Sequence, residues 1–408
     1  MVTSSTIGGL RAACEDVAQA TADDTVDGVP ARWVARPGNT QEVAAVLHAA
    51  AGLGLRVVAR GSGSRLAWGV PPTAVDLIVD SSRMDAVLAH AACDLVVTVQ
   101  AGLSMSALQR ALAPHRQRLA LDYDNSGCTI GGTIATAASG PLRYRYGSVR
   151  DLLIGITVVL ADGSVARSGG KVVKNVAGYD LGKLYTGSLG TLGVITEAVF
   201  RLNPLPEARR WITVPAADAA RAAAAIAAIR WSQHDPVALE VDRAATGGPV
   251  TVAIAVEGVA GGIVARGDAV AALLGSAAGT PATVSERPPD WWGLAPHPPQ
   301  GPAATVTCEP TGLADLLSTA PGTLRGSAGA GVLVAGLDDG DRLSAELAQL
   351  REIAHRHGGS TVLRCAPSKR KADLDVWGPV PALALMRRLK DQFDPEHRLS
   401  PGRFVGGI

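Results

Sequence analysis

The chain has 408 residues, 47% of them hydrophobic, which is enough for two domains with a sizeable core and argues against wholesale disorder. Its 38 basic and 37 acidic residues leave a net charge of +1, so neither nucleic acid nor an anionic membrane surface is expected as the main partner. The five cysteines (Cys14, Cys93, Cys128, Cys308 and Cys365) are scattered and form no C-x-x-C or C-x-x-H pattern. Such a set suits a reducing compartment, with cysteine as a small buried apolar residue and no metal or iron–sulfur site.

The first residues lack a basic segment followed by an apolar run, so no secretory signal is expected. The strongest apolar run, Leu152–Leu160, is far shorter than the ~18 residues a membrane span needs. A cytoplasmic protein is expected, reaching a membrane only through partner subunits.

In chain order, Thr40–Ala51 predicts a helix with Thr40 as N-cap, stopped by Gly52 and Gly54. Leu55–Ala59 predicts a strand, Gly61–Ser64 a loop, and Leu77–Asp80 and Leu95–Val99 further strands. Ser104–Leu112 predicts a helix closed by Pro114; Leu153–Leu160 and Val194–Leu202 predict strands. After Asn203-Pro204-Leu205-Pro206 the composition shifts, and a domain boundary is placed there. An alanine-rich helix (Ala216–Ile229), a strand (Thr251–Val256) and a loop carrying Trp291 and Trp292 follow. A helix over Asp341–His357, a strand over Thr361–Arg364 and a helix over Leu383–Phe393 complete the expectation. The alternation of helices and strands favours an α/β or α+β architecture.

Four glycine-containing loops stand out. Gly61-Ser62-Gly63 follows a strand, but a Rossmann fingerprint needs a third glycine three residues on, and that position is Leu66. Pro71-Pro72 further opposes a continuing helix, so a Rossmann dinucleotide site is not expected. Arg60-Gly61-Ser62-Gly63-Ser64 instead offers successive unobstructed backbone N–H groups, a nest for a pyrophosphate. Gln100-Ala101-Gly102 forms a second loop. Gly131–Thr136 is a third, whose small residues allow a flat ring close to the backbone, and Gly187–Gly193 is a fourth.

In order and spacing, the segments ARGSGS, QAGLS, TIGGTIAT, YGSVRDLLIGITVVLADG and GYDLGKLYTGSLGTLGVITE resemble the FAD-binding domain of the vanillyl-alcohol-oxidase and p-cresol-methylhydroxylase family, from about Arg36 to Pro206. The resemblance implies an α+β fold: a two-subdomain FAD-binding domain over 1–205, a smaller α/β cap over 206–365, and a C-terminal segment, 366–408, packing back on the FAD domain. It implies FAD held by Arg60, Gly61, Ser62, Gly63 and Ser64 at the pyrophosphate, with Gly102 in the second loop. Gly131, Gly132 and Thr133 would lie along the pyrophosphate and flavin. Gly147, Ser148 and Val149 would lie near the ring or ribityl chain, and Gly193, Val194 and Ile195 near the adenine. Lys174 would sit beside the flavin. The tethering histidine of some members is missing from Ser62–Leu66, and Cys128 is read as packing, so the FAD is expected to be non-covalent.

GGKVVKNVAGYDL (Gly169–Leu181) and the tail DPEHRLSPGRF resemble the FAD-binding subunits of glycolate dehydrogenase complexes. The implied partners are a second, catalytic FAD-binding subunit and an iron–sulfur subunit, with a small 2-hydroxy acid at the complex. The H-G-D-G-N-x-H metal motif of catalytic sister subunits is missing here, and the catalytic residues stay unassigned. Arg143, Arg145 and Arg150 are candidates for a substrate carboxylate, against a solvated surface or an ion-paired one. His355 and His357 read as cations at a helix C-terminus, and Trp291 and Trp292 as a pocket wall or docking patch. A self-sufficient 2-hydroxy acid dehydrogenase and a non-catalytic FAD-binding scaffold are the alternatives.

Overall fold

The computed structural model describes residues 2–122, 127–170, 180–298 and 301–408, with side chains from residue 7 onward. Four short strands open the fold: β1 (Val17–Gln19), β2 (Trp33–Ala35), β3 (Val57–Arg60) and β4 (Leu77–Asp80), in the order β1-β2-β4-β3. β4 runs parallel to both β2 and β3. That arrangement requires a crossover, which helix α1 (Thr40–Gly52) supplies. α1 buries Val43, Val46, Leu47 and Ala50, one helical stripe. Its N-cap is Asn39, whose side chain accepts from the Glu42 N–H, rather than Thr40. Thr40 is buried instead, its hydroxyl 2.9 Å from Thr196 Oγ1, so packing claims the residue that the capping rule assigned to the helix end.

A second, antiparallel sheet contains β5 (Val87–Ala91), β6 (Val96–Gln100), β7 (Leu153–Val159), β8 (Val165–Gly169) and β9 (Val194–Arg201), in the order β8-β7-β9-β6-β5. Helix α2 (Met105–Leu112) is capped by the Ser104 side chain, and Pro114 sits in a 3-10 turn that follows it. The expected third loop is a short helix, α3 (Ile130–Ala135), capped by Thr129. Two glycines weaken its propensity, but Ile130 and Ile134 are fully buried, and that burial outweighs the ~1 kcal/mol cost of each glycine.

Eight later strands make one antiparallel sheet: β10 (Ala208–Ala216), β11 (Ala238–Arg243), β12 (Val250–Gly258), β13 (Thr283–Ser285), β14 (Ala303–Thr307), β15 (Thr323–Ser327), β16 (Val332–Gly336) and β17 (Thr361–Cys365). Their order is β13-β10-β12-β11-β15-β16-β14-β17. Ala216 ends β10 and does not begin the alanine-rich helix; α4 (Ala219–Arg230) starts behind an Asp218 cap. With α5 (Ile263–Ala278), α6 (Leu313–Thr319) and α7 (Leu343–Arg356), it packs on this sheet around Ile226, Leu274, Leu316 and Leu350. α7 begins two residues later than Asp341, after Arg342.

A buried ion pair joins the third sheet to the segment that follows α2. Arg118 Nη1 lies 2.8 Å from Glu257 Oε1 on β12, and Tyr146 and Arg209 complete the cluster. At the C-terminus, α8 (Leu383–Phe393) carries Lys390, fully buried and bonded to Asp394, Thr191 O and Leu399 O. The Val57 N–H donates to Arg398 O and the Ser400 N–H to Val57 O, so the tail extends the edge of the first sheet.

Candidate functional site

The first cavity opens where β3, α3 and β9 converge. Ten of the expected residues line it: Arg60, Gly61, Ser62, Gly63, Ser64, Gly131, Gly132, Gly193, Val194 and Ile195. The loop after β3 is shaped by Gly63, whose φ of +81 lies in the left-handed region that L side chains avoid. The N–H groups of Ser62, Gly63 and Ser64 are engaged by no described residue and are available to an anion. Gly61 faces Thr129 so closely that a Cβ would lie 2.2 Å from the threonine hydroxyl. Gly131 meets Ala101 in the same way, at 3.0 Å. These glycines hold the cradle open by bringing backbones together where any side chain would fill the space.

Arg60 lines the cavity, but its guanidinium is committed elsewhere. It bonds Asp24 Oδ1 at 2.7 Å and Asp80 Oδ2 at 2.8 Å. The Thr21 N–H and Arg60 hold the Asp24 carboxyl down at about 2, and the two ion pairs leave Arg60 little for a phosphate. The cation available to the cavity is Arg403, from the C-terminal tail. Its Nη2 donates to Leu66 O and Trp68 O, while its buried Nε has no partner.

The other expected residues lie off this lining. Gly102 packs against the turn after β4, where a Cβ would fall 1.9 Å from Ser81 O. Thr133 is buried within α3, with a hydroxyl that lacks a partner. Gly147 and Ser148 form a helix cap around Asp151, and Val149 is fully buried behind it. Lys174 lies outside the described residues, as does most of Gly169–Leu181. Sequence reasoning missed Thr129, Leu189 and Arg403. The N-cap rule would have picked out Thr129 ahead of Ile130; Arg403 lies in the tail DPEHRLSPGRF that the resemblance marked, without a signal that singled out the residue.

A second cavity of about 480 Å³ adjoins the first and shares Ser64 and Arg65 with it. Arg143, Ser139, Glu240, Arg325, Ser327 and His297 are among its lining residues. The structure thus separates the three candidate arginines. Arg143 enters this cavity, Arg145 pairs with Asp235, and Arg150 is exposed. Trp291 stacks against Arg325 and Trp292 against Trp211, so the two tryptophans wall the sheet. His357 bonds Asp315 at 2.8 Å, off the cavities. Cys128 is buried, whereas Cys93 is exposed, unlike the expectation for a packing cysteine.

Residues 31–169 match the family described as FAD binding domain. Over 180 residues the chain is 39% identical to glycolate oxidase subunit GlcD of Bacillus subtilis (strain 168), a match covering 43% of this chain and 38% of that protein. Over 154 residues it is 37% identical to glycolate oxidase subunit GlcE of Escherichia coli (strain K12), covering 37% of this chain and 43% of that one. The matches thus span less than half the length of these curated relatives. In structure it is similar to alkyldihydroxyacetonephosphate synthase, with a TM-score of 0.68 at 19% identity over 91% of this chain and 76% of that one. The convergent glycine cradle has the form that an extended dinucleotide needs, and residues 31–169 form an FAD binding domain in a chain similar to the glycolate oxidase subunits.

Proposed function

We propose that the chain is the FAD-binding subunit of a multi-subunit 2-hydroxy acid dehydrogenase, in which its FAD is held without a covalent bond. The observation that carries this reading is the first cavity, where the free N–H groups of Ser62–Ser64 meet the glycine faces of Gly131 and Gly132 and the edge Gly193–Ile195. Ser62, Gly63 and Ser64 would hold the pyrophosphate and Arg403 would offset its charge. The small side of α3 would admit the flavin. Bound FAD supplies the two-electron acceptor that oxidation of a hydroxyl requires. The domain division follows the sheets: an FAD domain to about residue 205, a cap to about 365, and a tail returning to the FAD domain.

The names of the similar proteins, subunits GlcD and GlcE of glycolate oxidase and a D-lactate dehydrogenase of Archaeoglobus fulgidus, support a small 2-hydroxy acid as the substrate of the complex. A second flavoprotein and an iron–sulfur subunit that drains the electrons complete the proposal. Among the described residues no helix is long and apolar enough to cross a membrane, so contact with a respiratory chain would run through those partners. Purification under native conditions tests the reading. A second flavoprotein and an iron–sulfur polypeptide should co-purify, and acid precipitation should release all the yellow chromophore. Recovery of the chain alone, or flavin retained on the precipitate, defeats the respective part.

A further inference from the structure

The second cavity holds polar groups that the protein leaves unused. Glu240 on β11 is 4% exposed, and its Oε1 accepts no hydrogen bond. Ser327, its direct cross-strand partner on β15, faces the same carboxyl, and Ser139 has a buried hydroxyl without a partner. Buried polar atoms without partners cost about 1–3 kcal/mol each, and the two around this cavity, on Glu240 and Ser139, mark a place where a ligand supplies the bonds. Among the described residues Arg143 forms no ion pair, while Arg325, across the same cavity, is neutralised by Asp242 at 2.8 Å. Arg143 is therefore the cation with charge to spare.

Resting on the reading of the chain as a 2-hydroxy acid dehydrogenase subunit, we propose that this cavity binds a small 2-oxo or 2-hydroxy monocarboxylate, with Arg143 pairing the carboxylate and the Glu240 carboxyl donating to the 2-oxygen. Ser139 and Ser327 supply further hydroxyls along the wall. The site lies within this chain and adjoins the FAD cavity at Ser64 and Arg65, so its ligand sits next to the cofactor without a contribution from another subunit.

The groups facing Glu240 decide its protonation. Burial pushes its carboxyl up to about 8 against a hydrogen bond from Ser327; Asp122 adds to the rise and Arg143 opposes it. Arg65, Arg325, Arg364, His297 and Cys365 are the remaining ionisable groups of the lining. At neutral pH Glu240 is thus mostly a neutral donor, suited to an oxygen acceptor beside an already anionic ligand. As pH rises past about 8 it ionises, loses its proton for that bond and repels the carboxylate.

Calorimetric titration of the FAD-loaded full chain with pyruvate and D-lactate tests this, with lactamide as the uncharged control and phosphate as the control anion. Both acids should bind, and lactamide and phosphate should not. Affinity should fall about tenfold per pH unit above pH ~8. Arg143→Met should weaken binding by about tenfold or more. The isosteric Glu240→Gln should bind near the wild-type level at neutral pH and lose the alkaline fall. An unaffected Arg143→Met, a wild-type pH profile in Glu240→Gln, or equal binding of phosphate overturns the proposal. The heat is read without turnover, and FAD occupancy is read separately from the visible spectrum. Binding without activity in an assembled complex therefore counts against the proposed function alone, and activity without binding here counts against this site alone.

Discussion

A methyl group on Gly61 would lie 2.2 Å from Thr129 Oγ1, the oxygen that caps α3 by accepting from the Gly132 N–H at 3.2 Å. Neither side can yield cheaply, because Thr129 is buried and its hydroxyl is fixed by the cap. Gly61→Ala is therefore expected to push α3 away from the loop after β3, removing a cap worth about 1 kcal/mol. It should also weaken FAD binding by about tenfold or more, since both walls of the cradle move. Fluorescence titration of the apoprotein with FAD checks this, and an unchanged affinity would show that the contact is incidental. The glycines of this loop stood out in the sequence because a need for backbone geometry is something residue type alone reveals. Arg60 was misleading for the opposite reason: its charge is spent on Asp24 and Asp80, partners distant in sequence.

At the scale of elements, local signals placed the strands well and helix ends less well. Asn39 displaced Thr40 as a cap because Thr40 was needed against Thr196, and α3 formed despite its glycines because two isoleucines had a core to enter. Both are cases of tertiary packing overriding local propensity. The sheet order of the last eight strands had no local signature at all. The contact between the third sheet and the segment after α2 rests on Glu257, whose carboxyl burial would raise but which Arg118 and Arg209 hold below its ordinary range. Replacing Glu257 with Leu strands two cations without a counter-charge at a buried site. A loss of about 3–5 kcal/mol in unfolding free energy is expected, with a smaller loss for Glu257→Gln, which keeps hydrogen bonds to the arginines. Urea denaturation measures both. A Glu257→Leu variant as stable as the wild type would mean that apolar packing, not this cluster, holds the junction.

At the scale of the whole molecule, the third sheet and the loops after β3 and α3 line a chamber that no motif announced. Arg143 precedes β7 and Glu240 lies on β11, and only the fold brings them to one cavity. The sequence offered Arg143 as a carboxylate ligand and offered no base. The proposed site uses Arg143 in the first role and offers nothing for the second. Removing a hydride from a hydroxy acid requires a group that takes the hydroxyl proton, and a carboxyl that stays protonated up to about 8 is a donor at neutral pH. The imidazole in the lining, His297, stands on the loop at the rim, half-buried, with Nδ1 bonded to Pro298 O. The isolated, flavin-loaded chain should therefore hold a 2-hydroxy acid yet reduce an artificial dye with it at least about a hundredfold more slowly than the assembled complex does, the deficit that a missing general base produces. The measurement is dye reduction with glycolate and D-lactate by the chain alone and by the complex, alongside a His297→Gln variant. Comparable turnover by the chain alone sinks partner dependence, and its loss in the His297 variant would hand the role of base to that residue.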